Sequence, residues 1–152
     1  MLELHEATVN GFNVNFLEFS DGIRVMQISI AGTIINSIVD TPAKDKLLSW
    51  KKQIANHIYS KRQCKQNSKK HYAISIGMRF YPQKHGYGDL DIENYIKPIL
   101  DGVAKGIFCD SEALRIDKFN FDDSNFVHLY IERLPDAKIE NEEGIVITIS
   151  EH

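Results

Sequence analysis

The chain has 152 residues, 43% of them hydrophobic and 26% charged, and its formal net charge is −3 at pH 7. This is the composition of an ordinary globular protein, and the length is enough for one domain with a buried core. No apolar run approaches the roughly 18 residues that span a membrane, the N-terminus lacks the pattern of a signal peptide, and two cysteines do not suggest a disulfide framework. We therefore expect a single domain over residues 1–152, a cytoplasmic protein with reduced thiols, and no membrane partner.

Alternating apolar residues predict β-structure in the first part of the chain. Strands are predicted within 6–19, with a turn at Asn10-Gly11. Asp21-Gly22 indicates a second hairpin, which leads into a strand over 23–30.

A long helix is the next predicted element. Thr41-Pro42 indicates its start, because Thr is a favoured N-cap and Pro fits the first helical position. The apolar spacing continues to about Arg62. A polar loop follows, then an alternating strand over 72–80 and a loop over 82–89.

The second helix is predicted from about Tyr95 to Lys105, with Gly106 as its C-terminal cap. Pro98 is tolerable there only if the helix starts about one residue before it. Further strands are predicted over 113–121, 125–134 and 144–150. This order of elements predicts an α+β fold with a mixed β-sheet and two packed α-helices.

Charge is unevenly distributed along the chain. Residues 44–70 contain nine basic residues and one acid, so this segment carries +8 and the rest of the chain −11. Such a segment is typical of a surface that binds phosphates; the alternative is a solvated helix face followed by a basic loop. Lys84 is a weaker candidate for a phosphate contact. The candidate DNA contacts in the segment are Lys44, Lys51, Lys52, Lys61, Arg62, Lys69 and Lys70.

Acidic residues surround the second helix. In an extended segment Asp91 and Glu93 would point the same way, and hard cations such as Mg²⁺ prefer carboxylate oxygens. If the chain returns Asp110 to the same place, the three carboxylates would form a metal site with Lys97 close to the scissile phosphate. Alternatively, the acids favour the helix N-terminus, Lys97 pairs with Glu93, and Asp110 is a turn residue.

The segment DIENYIKPILD at 91–101, followed by GIFCDSEAL at 106–114, resembles the RusA family of Holliday-junction resolvases. The resemblance covers about residues 26–134, and residues 1–25 and 136–152 look like additions to that core. Ser111 departs from the family, which has the second Asp of a pair at this position.

Each residue of the motif has a counterpart in this chain. Asp91 and Glu93 match the first two catalytic acids, and Asp110 matches the first Asp of the pair. Glu112 is the alternative third ligand. Asn94 and Lys97 match the Asn and the catalytic Lys of the motif, and Asp101 matches the Asp that follows them.

The resemblance implies a RusA-like fold and a homodimeric, Mg²⁺-dependent endonuclease, with Mn²⁺ as a possible substitute, that resolves four-way DNA junctions in recombination and repair. By the same resemblance, Asn94 joins the DNA contacts and Lys97 is catalytic. The metal ligands would come from Asp91, Glu93, Asp110 and Glu112. Two alternatives stay open: a RusA-like DNA-binding protein in which Ser111 has weakened cleavage, and a metal-dependent hydrolase of small phosphate esters.

Overall fold

The computed structural model describes residues 3–9, 12–19, 22–36, 44–62, 65–66, 69–85, 92–121 and 123–151. Contacts within the chain define two compact units. The first, called the sheet unit here, comprises Met1–Thr33, Lys69–Gly88 and Asn125–His152. The second, called the helical unit, comprises Ile34–Ser68 and Asp89–Ser124. The predicted turn at Asn10-Gly11 and the helix start at Thr41-Pro42 lie outside the described residues.

A six-stranded mixed sheet forms the sheet unit. Its strands run in the order β1-β2-β3-β6-β4-β5, and all neighbours are antiparallel except β4 and β5, which are parallel. The described strands are β1 (Glu3–Val9), β2 (Phe12–Phe19), β3 (Gly22–Ala31), β4 (Tyr72–Arg79), β5 (Phe126–Arg133) and β6 (Gly144–Glu151).

A row of isoleucines crosses the middle of this sheet. Ile147 on β6 is opposite Ile28 on β3 and Ile76 on β4, and all three side chains are fully buried. Burial of each contributes about 1.5–3 kcal/mol, so the register is strongly specified. Although the C-terminal segment looks like an addition in sequence, β6 lies between β3 and β4 and makes the sheet continuous.

Two long helices form the helical unit: α1 (Lys44–Lys61) and α3 (Glu93–Phe108). They approach closely because α3 has glycines where it meets α1. A Cβ atom on Gly102 would lie 2.8 Å from Ile54 Cβ, and one on Gly106 would lie 2.8 Å from Ile58 Cβ. The prediction that Gly106 ends the helix is therefore wrong: Gly106 is a packing position, and Cys109 is the C-cap.

Pro98 also differs from its prediction. The helix starts at Glu93, so Pro98 lies buried inside it and not in its first turn. Because Pro has no N–H, the carbonyl of Asn94 lacks the usual helical donor four residues ahead. Buried Ile96 and Ile99 on either side hold α3 continuous through this proline.

Short helices replace two other predicted segments. α2 (Pro82–His85) belongs to the sheet unit and occupies part of the predicted loop at 82–89. The strand expected over 113–121 is wrong: α4 (Ser111–Leu114) overlaps its first residues, and the rest of that range forms no strand. The Asp110 side chain caps α4 by accepting a hydrogen bond from Ala113 N at 2.8 Å, and a satisfied cap favours helix over strand.

Short 3₁₀ turns at Asp123–Asn125 and Glu140–Glu142 complete the described secondary structure. The predictions of an α+β fold, of a mixed sheet and of two packed long helices are confirmed. Within the described residues, no helix has the length and apolar character needed to cross a membrane.

Candidate nucleic-acid interface

Asp101 joins the two long helices through a pair of lysines. Its Oδ1 lies 3.0 Å from Lys97 Nζ, one turn earlier on α3, and its Oδ2 lies 3.4 Å from Lys51 Nζ on α1. The Asp101 side chain is only 11% exposed, whereas that of Lys97 is 61% exposed. One half-buried carboxylate therefore holds an exposed ammonium group at the surface, where a phosphate can reach it.

Lys52 on α1 has its own acid. Its ammonium group lies 2.9 Å from Asp117 Oδ1, and both side chains are about half exposed. A pair this exposed contributes about 0–1 kcal/mol, so it opens at little cost. Lys51 also lies over the Phe119 ring, 5.4 Å from its centroid. The segment 115–121 thus supplies a carboxylate and an aromatic ring next to the predicted DNA contacts of α1. Sequence reasoning missed the proximity of this segment to α1.

Arg62 has a structural task in this fold. Its guanidinium donates hydrogen bonds to the carbonyls of Gly106 at 3.1 Å, Ile107 at 3.0 Å and Cys109 at 2.6 Å. It also stacks over the Tyr59 ring at 4.1 Å. These bonds satisfy carbonyls at the C-terminal end of α3, where a cation is favoured. The Arg62 guanidinium is thus bound to the end of α3 and is not a purely solvated group that waits for a phosphate.

The remaining predicted DNA contacts are spread over both units. In the helical unit, Lys44 is exposed at the start of α1 and Lys61 is partly exposed at its end. In the sheet unit, Lys69 is exposed and Lys70 Nζ lies 2.8 Å from Glu151 Oε1. Lys84 Nζ lies 2.8 Å from Glu140 Oε1 and donates to Thr33 Oγ1 at 2.6 Å.

The predicted metal ligands occupy both ends of α3. Asp91 lies outside the described residues. Glu93 is exposed and is the first residue of α3, and the half-buried Asn94 follows it. Asp110 is the N-cap of α4, and Glu112 is exposed within α4. The described residues contain no group of three or more His, Cys, Asp or Glu side chains arranged to hold a metal ion.

The length of α3 separates these acids. It has 16 residues, which at 1.5 Å per residue span about 24 Å. Glu93 and Asp110 therefore lie at opposite ends of a rigid helix within one chain. Metal–carboxylate distances are about 2.0–2.6 Å, so one ion cannot bind both residues of the same copy.

Lys105 is a second feature that sequence reasoning missed. It is 1% exposed, donates a hydrogen bond to the Ile116 carbonyl, and lies 4.3 Å from the centroid of the Phe119 ring. Burial lowers the pKa of Lys105, because desolvation disfavours the ammonium form. Burial likewise raises the pKa of the nearby Cys109 thiol, against the opposing charges of Arg62 and Lys105. No spacing in the sequence marks Lys105, since it lies outside the apolar stripe of α3.

In the sheet unit, a buried acid holds α2 in place. Glu143 is 1% exposed, accepts a hydrogen bond from Tyr81 N at 2.6 Å, and lies 2.8 Å from His85 Nε2. His85 also packs edge-on against Phe80. Glu143 also lines a groove of about 600 Å³, together with Lys84 and Thr33. In the sequence, Glu143 is one of several acids in the loop before β6, and nothing marks it for this role.

Comparison with known proteins assigns no family to this chain. Neither the protein-family models nor the curated proteins match this chain. The helical unit therefore has to be interpreted from its own chemistry. Its candidate groups are Glu93 at the start of α3, the exposed Lys97 one turn later, and Lys51 and Lys52 on α1, each of which lies near a carboxylate.

Proposed function

We propose that the protein is a Mg²⁺-dependent endonuclease that cuts branched DNA, with four-way junctions as its substrate. The observation that carries the proposal is the face of α3 on which Glu93, Lys97 and Asp101 follow one another at four-residue intervals. Residues with this spacing lie on the same side of a helix. The Lys97 ammonium is exposed and held at 3.0 Å by Asp101. The resemblance of 91–101 to the RusA motif supports the same function.

Each residue of the proposed site has a chemical task in the reaction. Asp91 and Glu93 would hold the metal ion, because carboxylates are the ligands that Mg²⁺ prefers. Held by these residues, such an ion would supply polarisation of the phosphate and activation of water. Lys97 neutralises the charge that develops on the scissile phosphate. Asp101 orients Lys97 and is a positioning residue.

Asp110 enters the site from a second copy of the chain in this proposal. The support is the length of α3, which keeps Glu93 and Asp110 of one copy about 24 Å apart. A homodimer with a two-fold axis would complete two such sites, each with Glu93 from one copy and Asp110, or Glu112 in its place, from the other. Two sites related by symmetry also suit a four-way junction, whose paired strands are cut symmetrically.

Mixing two inactive variants tests this arrangement. Glu93→Gln and Asp110→Asn should each abolish Mg²⁺-dependent junction cleavage. An equimolar mixture, allowed to exchange subunits, should regain about a quarter of the wild-type sites, because half of the dimers then contain one intact site. The product should be a nicked junction, since the second site of each mixed dimer lacks both acids. A mixture that stays inactive would place both acids in the same copy or outside the site.

Ser111 favours a second candidate, a DNA-binding protein without cleavage. It is exposed at the start of α4, where the family has an acid. If a ligand is missing there, Ser111→Asp should raise Mg²⁺-dependent cleavage. If Asp110 already serves, the added charge should give no gain or a loss. Junction binding without any cleavage in wild type, followed by cleavage in Ser111→Asp, would establish the binding protein.

A further inference from the structure

Strand β5 is the edge of the sheet unit and is exposed on both faces. It pairs with β4, and in the described part of the chain no strand lies on its other side. Val127 is 42%, Leu129 45% and Tyr130 62% exposed. An edge strand of eight residues with large apolar side chains is unusual for a protein that acts alone, because such edges template pairing with another chain.

The usual protections of an edge strand are weak here. β5 contains no proline and lacks lysine, the residues that most often block edge-to-edge pairing. Its sequence, Phe126–Arg133, alternates between two kinds of side chain. Val127, Leu129 and Ile131 share one face, and His128, Tyr130 and Glu132 share the other, because successive side chains of a strand point to opposite faces.

We propose that β5 pairs with β5 of a second copy, antiparallel, about a two-fold axis at Tyr130. This register joins the two six-stranded sheets into one continuous sheet. On one face, each His128 would then be opposite Glu132 of the second copy, on both sides of a Tyr130–Tyr130 pair. On the other face, each Leu129 would be opposite Ile131 of the second copy. His128 thus meets Glu132 and Leu129 meets Ile131, while Val127 lies opposite Arg133 at each end of the pairing.

Neighbouring registers lack this complementarity. A two-fold axis perpendicular to the sheet must pass through a residue, so that facing side chains share a face. An axis at Leu129 would place His128 opposite Tyr130, and Phe126 opposite the Glu132 carboxylate. An axis at Ile131 would place Tyr130 opposite Glu132, and Leu129 opposite Arg133. Among these three registers, only the axis at Tyr130 pairs the imidazole with the carboxylate. The match of each imidazole with a carboxylate therefore favours a second copy of the chain as the partner of β5.

A charge reversal on the strand tests both the partner and the register. Wild type should sediment as a dimer at micromolar concentrations. His128→Glu places two carboxylates opposite each other twice per dimer, which should raise the dimer dissociation constant about tenfold or more. The double variant His128→Glu/Glu132→Lys places opposite charges across the axis and should restore the dimer. The matched control is His71→Glu, since His71 is also exposed but precedes β4. It should sediment like wild type.

Cross-linking tests the position of the axis. In a Cys64→Ser background, Tyr130→Cys should form a disulfide-linked dimer under mild oxidation, because the two thiols would face each other across the axis. Val127→Cys should not, since its counterpart lies about 20 Å away along the strands. Monomeric wild type, a dimer insensitive to His128→Glu, or equal cross-linking of both cysteine variants would overturn the proposal. Sedimentation and cross-linking need no DNA and no metal, so the pairing of β5 can be established even if the protein does not cleave junctions. A monomer would overturn both this pairing and the two-copy site proposed above, whereas a dimer insensitive to His128→Glu would overturn the pairing alone.

Discussion

Lys97 and Asp101 form an ion pair of 3.0 Å along α3, with the carboxylate 11% exposed and the lysine side chain 61% exposed. The carboxylate is also 3.4 Å from Lys51 on the other long helix. Asp101 is therefore fixed between two cations while the end of Lys97 remains accessible. This arrangement orients a lysine toward the surface without burying its charge, which suits a group that must contact a phosphate.

Asp101→Asn should slow junction cleavage about 10- to 100-fold, because Lys97 loses the carboxylate that orients it. Lys97→Ala should cost at least as much. If Asp101 acts through Lys97, the double variant should be no slower than Lys97→Ala alone. Single-turnover cleavage at saturating Mg²⁺ measures this. Lys51→Ala is the control for the second ion pair of Asp101, and it is assayed with enzyme at saturating concentration because Lys51 is also a proposed DNA contact and lies over Phe119. A loss as large as that of Asp101→Asn would assign the effect to the contacts between the helices and not to Lys97.

Arg62 should matter for stability more than for DNA binding. Arg62→Ala removes the donor to three carbonyls at the end of α3, and should cost about 2–3 kcal/mol of unfolding free energy. Lys61→Ala, one residue earlier and without such bonds to α3 in the described structure, should stay within about 0.5 kcal/mol of wild type. Urea unfolding of both variants decides the matter. Equal stabilities would leave Arg62 as a phosphate contact.

Periodic features of the fold were predictable from sequence. Trp50, Ile54 and Ile58 have helical spacing and are buried on α1, and the alternating segments became β4, β5 and β6. The cap of α4 by Asp110 was not predicted. The bond from Ala113 N to Asp110 is formed within three residues, yet it outweighed the weak alternation that suggested a strand over 113–121.

Contacts between distant segments were beyond sequence reasoning. Arg62 binds carbonyls more than 40 residues later in the chain, and Gly106 meets Ile58 on another helix. In the sequence, an arginine in a basic segment also fits a phosphate contact, and a glycine late in a helix also fits a C-terminal cap. The pattern alone therefore does not distinguish these roles from the observed ones. The candidate acids show a similar limit. Their motif predicts their chemistry, while the length of α3 determines whether one copy can unite them.

Buried Lys105 should make stability depend on pH in the alkaline range. Burial lowers its pKa in the folded state from the ordinary value of 10.5. The unfolded chain therefore binds more protons than the folded chain just below pH 10.5. The free energy of unfolding consequently increases as pH rises through that window. Protonated Lys105 costs stability below it.

The comparison with Lys105→Met isolates this effect. Urea unfolding of wild type and Lys105→Met should be measured from neutral pH to about pH 10.5, the unfolded pKa of lysine. The free energy of unfolding of wild type relative to the variant should increase as pH rises, because the variant has no proton to lose at this position. Lys46→Met is the control, since Lys46 is exposed on α1, and its difference from wild type should stay flat. A flat difference for Lys105→Met would mean that its ammonium group is not destabilised by burial.

The lysines of α1 should produce a salt-dependent affinity for DNA. Lys51→Gln/Lys52→Gln should weaken junction binding and flatten the log–log dependence on salt by up to about 0.9 for each lost phosphate contact. Lys118→Gln/Lys138→Gln removes the same charge from exposed positions outside the basic segment and should change the slope less. Fluorescence anisotropy of a labelled junction across a salt series measures both. An unchanged slope for the α1 variant would show that this face does not contact DNA.

Asp117 gives the same interface a test of opposite sign. Its carboxylate lies 2.9 Å from Lys52 Nζ, so a phosphate at this position must displace it. Asp117→Asn should therefore strengthen junction binding, by about 2- to 5-fold if the displaced pair contributes about 0.5–1 kcal/mol. The gain should vanish when Lys52 is also replaced by Gln, because the released cation is then absent. Asp136→Asn, which removes a carboxylate from an exposed ion pair in the sheet unit, is the matched control for the change in net charge. If Asp117→Asn and Asp136→Asn strengthen binding equally, or if the gain survives the loss of Lys52, the effect is one of overall charge and Lys52 is not a phosphate contact.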